Sequence, residues 1–157
     1  WSASGTVSEA LLANLLTHPY FAMSGPRSSG KEAFNLRWLD QHLAAHPGLK
    51  AMDVQATLAE LTAVTIGRAI KQSGIEVTEV YVCGGGAHNG NLMDRLRRRL
   101  APATLASTAA IGMDPDWVEA VTFAWLAHRT LKGLAGNAPE VTGADGPRVL
   151  GGIFPAG

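Results

Sequence analysis

The sequence predicts an α/β fold in which a sheet and several helices pack in layers. Short stretches rich in β-branched residues alternate with longer segments whose apolar residues recur at helical spacing. Eighteen glycines and only 6% aromatic residues indicate many tight connections between these elements. The clearest connection is the triple glycine Gly84–Gly86, which joins a strand pattern to a helix pattern.

Three helices are predicted before the first strand. Their bounds are Val7–Leu16, Phe34–Leu43 and Asp53 to about Gln72. The first two end at His-Pro pairs, because a residue that precedes proline avoids the helical conformation. We expect Asp53 to be the N-cap of the third helix. Four residues are expected on its inward face: Leu58, Leu61, Thr65 and Ala69.

The second half of the chain alternates strands and helices. The predicted strands are Glu79–Cys83, Thr104–Ser107 and Val149–Phe154, and the predicted helices are Asn89–Leu100 and Pro115 to about Lys132. We expect Asp114 to cap the last helix, with Pro115 at its first position. That helix is apolar around most of its circumference, which is typical of a buried helix. Residues 133–146 are expected to form a loop.

Composition and charge narrow the possible classes of protein. The 157 residues are enough for one domain with a core, and the formal net charge is zero. A neutral chain argues against a nucleic-acid or membrane-surface partner held by bulk electrostatics. No stretch reaches the roughly 20 apolar residues of a membrane span. The chain opens at Trp1 without a signal-peptide pattern, and we expect it to be a piece of a larger protein.

Cysteine and histidine usage predicts no metal site. The single cysteine, Cys83, excludes an intramolecular disulfide and is typical of a reducing, cytoplasmic compartment. Because Cys83 ends a buried-looking strand, we expect a packed thiol rather than a nucleophile. His42 and His46 are four residues apart, but they lie at a helix end without a third ligand nearby.

The segment Gly25–Glu32 nearly matches the phosphate-binding pattern GxxxxGK[ST]. Its last position fails, because Glu32 lacks the hydroxyl that binds Mg²⁺ and would place negative charge beside phosphates. We interpret the segment as a helix start in which Ser28 or Ser29 is the cap. Ser29 and Glu32 have the spacing of a capping box.

The triple glycine also fails a known pattern, since Asn89 stands where GxGxxG requires its last glycine. Three successive glycines are costly in conformational entropy, so their presence needs an explanation. They could present bare backbone to a flat or anionic ligand, with Asn89 capping a helix whose positive end favours anions. Alternatively, they form a tight turn that packs closely and binds nothing. His88 could contact such a ligand or could simply belong to the loop.

A basic run lies on the helix after the glycines: Arg95, Arg97, Arg98 and Arg99. Leucines interrupt this run at core spacing and no aromatic residues interleave, which argues against a nucleic-acid patch. We interpret the run as a solvated face near a helix C-terminus, where cations are favoured.

Glu119 is the only charged residue between Asp116 and His128 on the predicted last helix. A carboxylate on a mostly buried helix is costly unless it is paired or reaches a cleft. Two interpretations remain open on these grounds. Glu119 either faces a functional cleft or belongs, with Asp116 and Thr122, to a short polar stripe that faces water.

Six segments together resemble the anhydro-N-acetylmuramic acid kinase family. They are Arg27–Leu36, Asp53–Leu58, Val82–Asn89, Glu119–Ala127, Val141–Ala144 and Leu150–Pro155. They occur in family order and span nearly the whole chain, so the set is specific although each segment alone is weak.

The resemblance implies a ribonuclease H-like, actin-like ATPase lobe in which a mixed sheet is flanked by helices. Enzymes of this family are two-lobed cytoplasmic kinases with a nucleotide cleft. They open the 1,6-anhydro ring of anhydro-N-acetylmuramic acid with water and transfer the γ-phosphate of ATP to O6, normally with Mg²⁺. The product, N-acetylmuramic acid 6-phosphate, belongs to peptidoglycan recycling. The implied partners are ATP, the sugar and, for the full-length protein, a second copy in a homodimer.

The residues of this chain, 1–157, resemble the C-terminal lobe only. The family's phosphate-binding loop and catalytic aspartate belong to the N-terminal lobe, and no position here matches them, so no catalytic base is assigned. The resemblance places five residues on the adenosine side of the nucleotide site: Gly84, Gly85, Gly86, Ala87 and Asn89. It also implies that Glu119 faces and orients the sugar. We expect the chain alone to be inactive.

Two other functions remain open. One is a nucleotide-sensing or interaction module of the same fold, without turnover. The other is a kinase for a different sugar. A phosphate-binding loop and a cleft aspartate elsewhere in the full-length protein would favour the enzyme, and their absence would favour the module.

Overall fold

The computed structural model describes residues 1–26 and 28–155. Its helices and strands are α1 Glu9–Leu15, α2 Leu36–Leu43, α3 Ala51–Gln72, β1 Glu79–Val82, α4 Gly90–Leu100, β2 Thr104–Ser107, α5 Val118–Leu131 and α6 Pro139–Thr142. Short 3₁₀ turns occupy Ser2–Ser4, Pro19–Ala22, Gly85–His88 and Thr108–Ile111. This order confirms the α/β fold class. Arg27, in the segment that nearly matches a phosphate loop, lies outside the described residues.

The two strands are parallel and α4 connects them. Glu79 lies opposite Thr104, and Val82 lies opposite Ser107. A strand, a crossover helix and a parallel strand form a βαβ unit, so both strands end at the same edge of the sheet. The triple glycine follows β1 at that edge, and the turn Thr108–Ile111 follows β2.

The prediction of a third strand over Val149–Phe154 is wrong. In the described residues the sheet has two parallel strands, so it is not the mixed sheet that was expected. Gly151 adopts a left-handed φ of 85°, which interrupts an extended backbone. The segment is instead tied to α5, because the Thr130 hydroxyl donates to the carbonyl of Leu150.

The core has two parts, and α3 lies between them. One part contains Leu11, Leu12, Leu15, Leu61 and Val64, and the other contains Ala63, Met93, Leu96, Leu100 and Leu105. The inward position of Leu61 is confirmed, and Leu58 and Thr65 are half-buried. Ala69 is exposed, contrary to the prediction. The prediction of one inward face on α3 is incomplete, because this helix packs against both α1 and α4 and buries residues on two sides.

An ion-pair network that is buried at Glu60 and Arg95 joins α3 to α4. Arg95 and Arg99 both pair with Glu60, whose side chain is 13% exposed. Arg95 is buried, so the prediction that this basic run is a solvated face is wrong at that position. Arg97 is exposed and pairs with Asp94. The error arose because sequence spacing does not show that an acidic partner on α3 faces the run.

The structure corrects the predicted cap of α2. Neither Ser28 nor Ser29 is the cap, since the helix starts several residues later, at Leu36. The N-cap is Asn35, whose side-chain oxygen accepts the Trp38 N–H at 3.0 Å. Asparagine is as good an N-cap as serine, so the sequence offered two competing starts.

The predicted caps of α3 and α5 are also wrong. Helix α3 begins at Ala51, and Asp53 in its first turn accepts the Thr6 N–H at 2.7 Å, which ties the N-terminal segment to this helix. Helix α5 begins at Val118, and Asp114 accepts the Asp116 N–H at 2.9 Å in the turn before it. In both cases an aspartate that satisfies a backbone donor lies in or before a first turn, but it is not the N-cap.

Helix α5 is not buried, contrary to the prediction. None of its described residues is buried, and Phe123 and Trp125 are 63% and 50% exposed. The expected loop that follows contains a single helical turn, α6. Within residues 1–26 and 28–155, no helix is both long and apolar enough to cross a membrane.

Candidate functional site

The triple glycine forms a loop at the carboxyl end of β1. Gly84 has φ of 70° and ψ of −174°, a conformation that only glycine adopts readily. The turn Gly85–His88 follows, and Asn89 then caps α4 by accepting the Leu92 N–H at 3.1 Å. The capping role predicted for Asn89 is therefore confirmed. In open α/β sheets, ligands bind in the crevice outside the carboxyl ends of the strands, where this loop lies.

The protein itself does not crowd the glycines. A Cβ built on Gly84 or Gly85 meets no atom within 4 Å, and one built on Gly86 meets only the Leu92 side chain at 3.8 Å. The required φ explains the glycine at position 84, but neither strain nor close packing by described residues explains positions 85 and 86. The alternative of a closely packed turn therefore finds no support in the part of the chain that is described.

The loop also presents backbone donors. The Ala87 N–H donates to Gly84 and the Asn89 N–H donates to Gly86, at 3.0 and 3.1 Å. The N–H groups of Gly85 and Gly86 have no acceptor among residues 1–26 and 28–155. Backbone donors without a protein partner suit a ligand that carries acceptor atoms.

Two hydrogen bonds connect the glycine loop to the turn that leads into α5. The Gly84 N–H donates to the carbonyl oxygen of Pro115 at 2.8 Å. His88 Nε2 lies 2.8 Å from an Asp116 carboxylate oxygen. His88 thus has a protein partner that the sequence did not reveal, since the two residues are 28 positions apart. Glu119 lies in the first turn of α5, so the fold brings this helix start to the glycine loop.

Glu119 itself is exposed. Its carboxylate has no hydrogen bond or ion pair within the described residues. Asp116 and Thr122 are exposed too, as a polar stripe facing water requires. The same exposure is what a residue facing a bound sugar needs, so the role of Glu119 stays a prediction.

Cys83, which precedes the glycines, is exposed. The prediction of a packed thiol is therefore wrong. Strand β1 alternates exposed and half-buried residues, whereas its three apolar or aromatic residues predict a buried strand.

The two predicted helix-end histidines contact one asparagine. Asn14 on α1 lies 2.7 Å from His42 Nδ1 and 3.3 Å from His46 Nε2. These histidines link α1 to α2. Nothing in the sequence singles out Asn14, which is 28 and 32 residues away from them.

The larger cavities lie away from the glycine loop. A cavity of about 530 Å³ between α2 and α3 is lined by residues that include Phe34 and Trp38. Another, of about 580 Å³ beside α5, is lined by residues that include Phe123 and Leu150. The described residues of both linings are mainly apolar, with no charged side chain and few polar groups to orient a sugar or phosphate. The glycine loop is an open surface rather than an enclosed pocket in the described residues.

Comparison with known proteins identifies the family. The family model described as anhydro-N-acetylmuramic acid kinase matches residues 1–156. The chain belongs to this family. A protein of Pseudomonas fluorescens (strain Pf0-1) that bears the same name is 56% identical to the chain over 155 residues. Proteins so named from Pseudomonas putida and Chromohalobacter salexigens are 55% and 49% identical.

These matches cover unequal shares of the two sequences. They include 98–99% of this chain but only 42–43% of each relative. The chain therefore spans less than half the length of the curated relatives that it matches. The family match over residues 1–156 confirms the resemblance that the six sequence segments carry together.

Proposed function

We propose that this chain is the C-terminal lobe of an ATP-dependent kinase for a 1,6-anhydro amino sugar. The whole enzyme would open the ring of anhydro-N-acetylmuramic acid with water and phosphorylate O6, giving N-acetylmuramic acid 6-phosphate. The names of the relatives support the substrate and the reaction class. The observation that carries the proposal for this chain is a glycine loop that no described side chain crowds, with two backbone donors that have no acceptor among the described residues.

In this proposal the glycine loop forms the adenosine side of the nucleotide site. The bare backbone of Gly84, Gly85, Gly86 and Ala87 lies against the nucleotide, and Asn89 holds the start of α4 behind it. Glu119 accepts hydrogen bonds from sugar hydroxyls and orients the ring. Phosphoryl transfer depends mainly on positioning and on neutralising charge, which suits residues that bind rather than react.

No multi-residue metal cluster lies within the described residues. They contain no group of three or more His, Cys, Asp or Glu side chains that could hold an ion. Mg²⁺ usually keeps several waters and binds through one or two carboxylates together with substrate phosphates. We therefore assign no Mg²⁺ ligand to this chain, and no step of the proposal depends on one.

The proposal has consequences for the whole protein. It places the phosphate-binding loop and the base that activates water outside this chain, so residues 1–157 alone would not turn over. It also implies a cytoplasmic enzyme of peptidoglycan recycling that acts as a homodimer. Phosphorylation of the anhydro sugar by the isolated chain would contradict the assignment of the catalytic parts.

The nucleotide role is tested by Gly85→Ala in the full-length protein. The added methyl group meets no atom of residues 1–26 or 28–155 within 4 Å, so the fold should be unaffected while the methyl group intrudes on bound adenosine. We expect the affinity for ATP, measured by calorimetry, to fall on the order of tenfold. Gly67→Ala on α3 is the control, since its Cβ meets only Arg99 at 3.8 Å. Equal ATP affinity in both variants and the wild type would contradict the nucleotide role.

The sugar role is tested by Glu119→Gln in the full-length protein. Loss of the charge should raise the sugar KM or lower kcat on the order of tenfold, because hydrogen bonds to charged groups are the stronger ones. ATP binding should not change. Glu140→Gln, at an exposed glutamate on α6, is the control. Comparing the anhydro sugar with open-ring amino sugars separates the two sugar classes. Unchanged sugar kinetics would remove Glu119 from the site.

A further inference from the structure

Two hydrogen bonds join the glycine loop to the turn before α5, and the side-chain bond between His88 and Asp116 adds little to folding stability. His88 and Asp116 form a hydrogen-bonded pair at 2.8 Å although both side chains are 60% exposed. Because an ionised carboxylate only accepts hydrogen bonds, His88 Nε2 is the donor. Exposed pairs of this kind contribute little to folding. The backbone bond from Gly84 to Pro115 lies beside this pair and is also 2.8 Å long.

The turn that holds Asp116 is itself well fixed. The Asp114 carboxylate accepts the Asp116 N–H at 2.9 Å, and the Trp117 N–H donates to the Asp114 carbonyl at 3.0 Å. Pro115 is buried between them. A side chain anchored on such a turn can help to fix the position of a glycine loop that carries few side chains of its own.

The glycine loop needs such an anchor. A Cβ built on Gly84 or Gly85 meets no atom of the described residues within 4 Å, so no described side chain packs against these two positions. The loop is fixed at its far end by Asn89, which caps α4. His88 and the Gly84 amide are the points at which it contacts the turn before α5.

We propose that His88 and Asp116 form a latch that positions the glycine loop relative to the first turn of α5. The inference rests on the proposed function, in which the loop holds adenosine and Glu119 holds the sugar. The latch then holds the two elements that bind these ligands in a fixed position relative to each other. His88 and Asp116 are positioning residues that touch neither ligand, and a small displacement of one substrate from the other lowers the rate steeply.

The first test measures hydrogen exchange of the Gly84 amide by NMR in the full-length protein, without substrates. Opening the latch with His88→Ala should let the Gly84–Pro115 bond open more often, so exchange should speed up about tenfold. Asp116→Asn keeps an acceptor oxygen and should stay within about twofold of the wild type.

The control is Arg97→Ala, which removes the Arg97–Asp94 pair on α4. Its side chains are 55% and 62% exposed, so it matches the latch in exposure but does not touch the glycine loop. It should leave Gly84 exchange unchanged. Equal exchange in His88→Ala and Arg97→Ala would overturn the latch, whether or not the protein is a kinase.

The second test measures phosphorylation of the anhydro sugar by the same full-length variants. We expect His88→Ala and Asp116→Ala each to lower kcat about tenfold, and the double variant to lower it no further, because either change opens one latch. Asp116→Asn should restore most of the rate. A multiplied effect in the double variant, or unchanged kcat despite faster Gly84 exchange, would overturn the positioning role. A wild-type protein without this activity would overturn the proposed function, and the exchange measurement would still decide the latch.

Discussion

Helices α1 and α5 are both rich in apolar residues, yet α1 is buried in the core and α5 is exposed at the surface. Leu11 and Leu15 of α1 are fully buried against α3. Phe123 and Trp125 of α5 are at least half exposed, and no described residue of that helix is buried. The difference teaches that apolar side chains become core only where a second element covers them. Helix α1 has α3 as its cover, whereas α5 has no comparable cover in the described residues.

The largest effect is expected from Leu15→Ala. Its side chain is 0% exposed, so truncation leaves a cavity that the surrounding helices fill only in part. We expect a loss of about 2–5 kcal/mol in the free energy of unfolding, measured by urea denaturation. A loss below about 1 kcal/mol would break the comparison, because α1 would then contribute no more than an exposed helix does.

An intermediate effect is expected from Glu60→Gln in the network between α3 and α4. Burial by itself raises the pKa of Glu60, but the hydrogen bonds and charges of Arg95 and Arg99 together lower it below the ordinary 4.5. Neutralising Glu60 leaves a buried arginine with a weaker partner. We expect the free energy of unfolding, measured by urea denaturation at pH 7, to fall by about 1–3 kcal/mol.

The pH dependence of stability checks the same residue. A carboxyl whose pKa is lowered by folding stabilises fully above its unfolded pKa and loses this contribution as the pH falls through the lower folded pKa. The wild type should therefore lose stability below pH 4.5 more steeply than Glu60→Gln. Glu76→Gln, at an exposed residue, is the control and should keep the wild-type slope. Parallel curves of unfolding free energy against pH for the wild type and Glu60→Gln would rule out this contribution of Glu60.

The smallest effect is expected from Phe123→Ala on α5. The side chain is 63% exposed, so its truncation should change the free energy of unfolding of this chain by no more than about 0.5 kcal/mol. Urea denaturation beside Leu15→Ala measures the contrast between the two helices directly. A loss as large as that of Leu15→Ala would mean that α5 is covered in solution.

Local sequence patterns predicted most of the elements but not their starts. Strand Thr104–Ser107 and the Asn89 cap of α4 were predicted correctly, because each depends on residues within a few positions. The predicted caps of α2, α3 and α5 were wrong: Asn35 rather than Ser28 or Ser29 caps α2, and the N-caps of α3 and α5 are Lys50 and Trp117, neither of which makes a side-chain cap hydrogen bond within the described residues. The third strand was wrong because a strand also needs a partner to pair with.

The candidate site likewise contains features that the sequence predicted and features that it did not. The sequence singled out the glycines and Glu119, and the structure adds that Gly85 and Gly86 are uncrowded. It did not predict the contact between His88 and Asp116. Nor did it predict that Cys83 is exposed, because exposure at a strand end depends on what lies across the sheet.

By itself, the sequence determined the α/β class and the glycine loop at the end of β1, and its resemblance to known kinases indicated the family. The class and the loop follow from local composition, spacing and order along the chain, which need no knowledge of distant contacts. Only the tertiary structure decided that Glu60 pairs with the buried Arg95, that α5 is exposed and that His88 hydrogen-bonds to Asp116. Each of these depends on which element lies opposite another, and that is fixed by the packing of the whole chain.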